Sequence, residues 1–132
     1  MTIELWCLVA AALWTIVLNY TPLIGRMLAQ GTMPGAKWSF GNRAESPPGA
    51  PWIQRADRAQ RNHLENLPIF IALVIAIQMS GHRDASTALA CEIFVAARVA
   101  HSIIYMIGIV LLRTLVYWTS LGAMAWLFIK LF

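Results

Sequence analysis

The chain has 132 residues, a length typical of a single domain. Hydrophobic residues make up 59% of it and charged residues only 12%, against about 25% charged residues in soluble domains, so composition excludes an ordinary water-soluble globule and favours a polytopic membrane protein. The formal net charge is +4. Apolar segments enclose most of the arginines, which argues against the solvated basic face of a nucleic-acid-binding protein.

The first apolar segment predicts a membrane-spanning helix over about residues 3–24. It lacks the basic region that precedes the apolar part of a signal peptide. A loop over about 26–54 follows and is rich in Gly and Pro, which interrupt helices. Many of the basic residues lie in or beside this loop, so we expect the loop to be cytoplasmic.

The second predicted helix, about 55–80, begins with the most polar stretch of the chain. At about 100° per residue, Arg58, Asn62 and Glu65 fall on one face of this helix. Because charge inside a bilayer costs about 2.5–3.5 kcal/mol per residue on insertion scales, such residues usually face the interior and have a function. The alternative is that the arginines anchor the helix to lipid phosphates, which leaves Asn62 and Glu65 unexplained.

The last apolar stretch is too long for one crossing, so we divide it near residues 108–113 into helices over about 85–108 and 113–131. Arg98, His101 and Tyr105 share one face of the third helix because they are three and four residues apart. Arg113 and Tyr117 are four apart at the start of the fourth helix. Each of these side chains also has a structural interpretation: an interior histidine, interfacial tyrosines and an arginine that determines topology.

These predictions describe an all-α integral membrane protein with one domain, 1–132, folded as a bundle of four transmembrane helices. Polar residues from all four helices meet on the predicted cytoplasmic side, and this convergence indicates a binding site. Arginine binds carboxylates through two hydrogen bonds. An arginine near a thiol lowers the pKa of the thiol from about 8.5 and stabilises the nucleophilic thiolate. The pattern therefore suits a small zwitterionic or polyanionic thiol. The two cysteines, Cys7 and Cys91, are interpreted as packing residues, and no metal site is predicted.

Three motifs in this sequence resemble the MAPEG family, the membrane-associated proteins of eicosanoid and glutathione metabolism, in a bacterial-type form. The longest motif is Arg58-Ala-Gln-Arg-Asn62-His-Leu-Glu65-Asn-Leu-Pro68-Ile-Phe70 in the second helix. The third helix carries Arg98-Val-Ala-His101-Ser-Ile-Ile-Tyr105, and the fourth begins with Arg113-Thr-Leu-Val-Tyr117. The motifs occur in the family's order, and the resemblance covers essentially the whole chain.

The resemblance implies a homotrimer that binds glutathione between neighbouring subunits, near the cytoplasmic side of a bacterial inner membrane. Arg113 matches the arginine that stabilises the glutathione thiolate in catalytic members. The other positions carried over to glutathione binding are Arg58, Gln60, Arg61, Asn62, Glu65, Arg98, His101, Tyr105, Tyr117 and Arg26.

The implied function is that of a membrane glutathione transferase, with glutathione peroxidase activity as an addition, acting on lipophilic substrates from the surrounding lipid. A non-catalytic lipid-binding or scaffold protein of the same family is the alternative. A small transporter that uses Glu65 as its coupling carboxylate is a more distant alternative. The arginines that flank this carboxylate argue against that role.

Overall fold

The computed structural model describes residues 1–30, 34, 37, 40–42 and 50–132. These residues form four helices and no strand. All four helices are long and apolar enough to cross a membrane, which confirms the predicted all-α, four-helix membrane architecture. The helices are α1 (Ile3–Gln30), α2 (Pro51–Ser80), α3 (Ala85–Ile107) and α4 (Val110–Ile129).

The first two helices extend further toward each other than the sequence predicted. The first helix continues to Gln30 instead of ending near residue 24, and the second starts at Pro51 instead of residue 55. Pro51 suits the first helical turn because its missing N–H would have no partner there. The predicted loop over 26–54 is therefore shorter at both ends, and most of what remains of it lies outside the described residues.

The connection between α3 and α4 is much tighter than predicted. Gly108 ends α3 with φ of 98°, a left-handed conformation that favours glycine, and donates its N–H to the Ile104 carbonyl at 2.9 Å. Because α4 already begins at Val110, Arg113 does not lie in a loop. It belongs to the first turn of α4, with its N–H donating to the Ile109 carbonyl at 3.1 Å.

The four helices run alternately up and down, so the bundle has two distinct ends. The loop end contains the end of α1, the start of α2 and the α3–α4 turn. The terminal end contains both chain termini and the α2–α3 turn. Within the described residues, α1 packs on α2 and α3, whereas α4 packs on α3 and α2.

The apolar core draws on all four helices. The Phe70 and Phe94 rings stack at its centre with ring centroids 3.9 Å apart. Cys7 and Cys91 are both buried in this cluster as free thiols, in line with a packing role. The outer surface carries large apolar side chains, among them Trp6 and Trp118, as expected where a helix faces lipid.

The start of α3 is fixed by a capping box at the terminal end. The Asp84 side chain accepts hydrogen bonds from the N–H groups of Ser86 and Thr87, and the Thr87 hydroxyl accepts one from the Asp84 N–H at 2.9 Å. Lys130, beyond the end of α4, forms a salt bridge with Asp84. This ion pair, helped by the hydrogen bonds of the cap, holds the pKa of Asp84 well below its usual value.

Candidate functional site

A cleft of about 250 Å³ opens at the loop end of the bundle, where α2, α3 and α4 meet. Five of its six lining residues are ones that the sequence singled out. The sixth, Thr114, follows Arg113 on α4, and its hydroxyl donates to the Val110 carbonyl at 3.0 Å. A lone threonine carries no sequence signal, so only the structure could find it. The cleft is lined by Asn62, His101, Tyr105, Arg113, Thr114 and Tyr117.

Arg113 is held over an aromatic ring at the edge of the cleft. The central carbon of its guanidinium lies 4.3 Å from the centroid of the Tyr105 ring, a cation–π distance that orients the guanidinium without neutralising it. Because Arg113 lies in the first turn of α4, the positive end of the helix dipole acts in the same region. The arrangement therefore favours an anion in the cleft.

The two tyrosines of the cleft are packed around a buried histidine. His101 is 3% exposed, with its ring centroid 5.6 Å from that of Tyr105 and 5.9 Å from that of Tyr117. The contact with Tyr117 joins α3 to α4, whereas the contact with Tyr105 lies within α3 and packs the ring on which Arg113 rests. The His101 Nδ1 atom is buried with no hydrogen-bond partner among the described residues.

Arg98 orients the amide of Asn62. Arg98 is buried, 1% exposed, and its Nη2 atom donates to Asn62 Oδ1 at 2.8 Å. This hydrogen bond fixes which way the Asn62 amide points and uses one of the two lone pairs of Oδ1, while Nδ2 remains as a donor for a ligand. Arg98 Nε and Nη1 have no hydrogen-bond partner in the part of the chain that the structure describes. Asn62 is thereby a donor prepared for an anionic or carbonyl group.

Two of the predicted binding residues, Gln60 of α2 and Arg26 of α1, lie at the contact between these two helices, on the side of α2 away from the cleft. Gln60 Nε2 donates to Asn19 Oδ1, and Arg26, which is buried, forms a salt bridge with Asp57. Gln60 and Asn62 are two residues apart, so they lie roughly 160° apart around the helix axis. One protomer therefore does not bring Gln60 and Arg26 to the cleft that contains Asn62.

The remaining predicted residues, Arg58, Arg61 and Glu65, are exposed on the outer face of α2. Arg58 and Glu65 share a face, as predicted, but that face points away from the bundle, whereas the sequence analysis expected it to face the interior. Glu65 acts on buried Arg98 only through longer-range electrostatic attraction.

Arg55 is a contributor that the sequence analysis did not place. Its Nε donates to the Met106 carbonyl at 2.8 Å, which is one of the carbonyls left free at the end of α3. Its guanidinium also passes close to Gly108, where a Cβ atom would lie 3.4 Å from the guanidinium carbon. Arg55 therefore ties α2 to the turn that sets the start of α4 and the position of Arg113.

The comparisons with known proteins assign the family. The family model described as "MAPEG family" matches residues 5–132, nearly the whole chain. No curated protein and no solved structure matches the chain significantly. A match of this extent, together with four membrane-spanning helices in the described residues, shows that the chain belongs to the MAPEG family.

Proposed function

We propose that this protein is a membrane glutathione transferase that activates the glutathione thiol for attack on lipophilic electrophiles. The observation that carries the proposal is the cleft in which Arg113, oriented by Tyr105, stands near the Asn62 amide donor. The site is rich in hydrogen-bond donors and positive charge, which suits a peptide with two carboxylates and an ionisable thiol.

In this proposal, Arg113 and the first turn of α4 stabilise the thiolate, so that the thiol proton leaves to solvent when glutathione binds. The thiolate sulfur then forms a bond to the electrophilic carbon of the second substrate, and the leaving group departs with its electron pair. Asn62 Nδ2 holds the peptide, and Arg98 positions Asn62. With a lipid hydroperoxide as the second substrate, the thiolate would attack a peroxide oxygen, break the O–O bond and release an alcohol after protonation. A second glutathione would then convert the glutathione sulfenic acid to the disulfide and water.

We further propose that the functional site is completed by a second copy of the chain, as in a homotrimer. The cleft of about 250 Å³ is smaller than typical ligand pockets of about 300–1,000 Å³. Gln60, which is half-buried, lies on the opposite side of α2 from it, where it can serve a neighbour's cleft. Arg26 is buried and paired with Asp57, so it would support that surface from within by holding α1 on α2.

The outer surface supports the same assembly. Glu92 is exposed within α3, a candidate membrane-spanning helix, and has no ion pair with any described residue. A carboxylate in that position is costly against lipid. An interface between protomers would cover it.

For topology, we propose that the loop end faces the cytoplasm, in a bacterial inner membrane. The basic residues of the connection between α1 and α2 support this orientation. A His82→Cys variant tests it, because Cys7 and Cys91 are buried and should not react. A membrane-impermeant maleimide should label His82→Cys in intact cells; labelling only after lysis would reverse the topology.

The catalytic proposal is tested by conjugation of glutathione to a chlorodinitrobenzene by the detergent-purified protein. We expect Arg113→Ala to lower kcat/KM by roughly 100-fold, the scale found when one stabilising donor is removed from an anionic reacting atom. Arg113→Lys should retain part of the activity because it keeps the charge. Full activity in Arg113→Ala would refute the assigned role.

The non-catalytic alternative makes a different prediction for the same protein. A lipid-binding or scaffold member would be neither stabilised against heat by glutathione nor active with any electrophile. Stabilisation of wild-type protein by glutathione, weakened in an Asn62→Ala variant, would exclude that alternative.

A further inference from the structure

Two neighbouring cavities lie at the terminal end of α3 and α4, away from the candidate glutathione site. The first is an apolar groove of about 380 Å³ between the two helices. Large side chains such as Leu89, Ile93 and Trp126 line it together with small ones, including Ala90 and Gly122. Because both helices are long and apolar enough to cross a membrane, this groove is in a position to face hydrocarbon.

The second cavity is polar and basic. It has a volume of about 410 Å³ and is lined by residues of the α2–α3 turn and the end of α4, including His82, Arg83, Asp84 and Lys130. Lys130 is paired with Asp84. Arg83 is exposed and forms no salt bridge with any residue that the structure describes, and Glu4 attracts it only at longer range. The side chains that line the cavity therefore carry a net positive charge.

A chain of hydrogen bonds joins the two cavities. Trp126 Nε1 donates to Ser86 Oγ at 3.2 Å, and Ser86 Oγ donates to Asp84 Oδ1 at 2.6 Å. Trp126 and Ser86 line the apolar groove, whereas Asp84 lines the basic cavity. On α4, Lys130 lies one turn beyond Trp126, with its N–H donating to the Trp126 carbonyl at 3.1 Å. The basic cavity thus follows directly on the groove along both helices.

We propose that the two cavities form one binding site for an anionic phospholipid, which is independent of glutathione. The lipid phosphate would bind beside Arg83 and Lys130, and one acyl chain would lie in the groove. The two cavities follow each other as the parts of a phospholipid do: the basic cavity lies at the helix ends, where a headgroup would be, and the apolar groove runs along the helices, where an acyl chain would be. Juxtamembrane basic residues attract anionic lipids, and an indole at the boundary is typical of membrane interfaces.

Gly122 allows the acyl-chain part of the site to be tested separately. A Cβ atom placed on Gly122 meets nothing within 4 Å, so a larger side chain there enters open space instead of the protein core. Gly122→Leu should therefore fold and fill the groove. Ala125→Leu is the matched control, because Ala125 is exposed on the same helix and does not line the groove.

The test is native mass spectrometry of the delipidated, detergent-purified protein with added dioleoyl phosphatidylglycerol or dioleoyl phosphatidylcholine. We expect one tightly retained phosphatidylglycerol per protomer and weaker retention of phosphatidylcholine. Arg83→Gln should weaken phosphatidylglycerol binding roughly fivefold, the value of one basic residue near an anionic lipid, and Arg83→Lys should restore it. Gly122→Leu should weaken binding of both lipids roughly tenfold, which corresponds to about two displaced methylene groups.

Several results would overturn the proposal. Equal retention of the two lipids, unchanged by Arg83→Gln, would show that no headgroup site exists. Equal binding by Gly122→Leu and Ala125→Leu would show that no acyl chain occupies the groove. Glycerol phosphate binding as tightly as phosphatidylglycerol would identify a site for a free anion. A lower oligomeric mass in Gly122→Leu would identify the groove as a contact between copies of the chain.

Discussion

The hydrogen bond between Arg98 and Asn62 allows the stability of the site to be separated from its binding chemistry. Asn62→Asp keeps the acceptor oxygen that Arg98 uses and converts the pair into a salt bridge with a buried cation. The same change removes the Nδ2 donor that the amide offers to the cleft and replaces it with a negative charge. We therefore expect opposite effects on folding and on glutathione binding.

The magnitudes follow from the burial of Arg98. This guanidinium has a single hydrogen bond and two unpartnered nitrogen atoms among the described residues, so a carboxylate beside it should raise the melting temperature by roughly 3 °C or more. A hydrogen bond to a charged group contributes about 1.5–3 kcal/mol. Loss of the hydrogen bond from Asn62 Nδ2 to glutathione should weaken glutathione binding by roughly 10- to 100-fold. Repulsion between the new carboxylate and the carboxylates of glutathione acts in the same direction.

Thermal unfolding of the detergent-purified protein, with and without glutathione, measures both effects in one experiment. Asn62→Ala is the control, because it removes both the acceptor and the donor and should lower stability as well as binding. If Asn62→Asp bound glutathione as tightly as the wild type, the amide would not be a ligand donor. If Asn62→Asp were less stable than wild type, Arg98 would not need an anionic partner.

Three further predictions concern the surroundings of the site. Gly108→Ala should lower the free energy of unfolding by about 1–2 kcal/mol, because Gly108 has a positive φ and lies close to Arg55. It should also reduce conjugation activity by displacing Arg113. Unchanged activity at reduced stability would show that the turn does not position the site. Arg58→Ala should weaken glutathione binding. Because Arg58 is exposed, the variant should keep the melting temperature that the wild type has without glutathione. A lower melting temperature without glutathione would indicate a structural role for Arg58 instead. The pKa of Asp84 is lowered in the folded protein, so the stabilising contribution of its carboxylate should be present above about pH 4 and decline as pH falls further. Asp84→Asn keeps a capping side chain, and its melting temperature should fall less steeply from about pH 5 to pH 3 than that of wild type. Parallel curves for the two proteins would contradict the assignment.

Hydropathy and motif spacing were sufficient to predict the four helices and most of the cleft. Long apolar segments have few alternatives to helices inside a bilayer. Spacings of three and four residues place His101 beside Tyr105, and Arg113 near Tyr117, whatever the details of packing. These local relations explain why four lining residues of the cleft were singled out in advance, and the polar face of α2 explains the fifth, Asn62.

The remaining features depend on contacts between helices, which spacing does not encode. No spacing pattern predicts that Arg55 binds the end of α3, or that Arg26 pairs with Asp57. The start of α4 was placed too late, at about residue 113, because the break between the last two helices was taken to span residues 108–113, whereas a turn as short as Gly108–Ile109 is sufficient. A glycine with positive φ ends a helix abruptly, and that conformation is not visible in the sequence.

The most direct test of the central claim is the ultraviolet difference spectrum that reports formation of the glutathione thiolate. It is recorded at neutral pH when glutathione is added to the detergent-purified wild-type protein and to the Arg113→Ala variant. The account predicts a thiolate signal in the wild type that is lost in Arg113→Ala, while glutathione still stabilises the variant through Asn62. An undiminished signal in Arg113→Ala, or no signal in a wild-type protein that glutathione demonstrably stabilises, would contradict the claim that Arg113 activates the thiol.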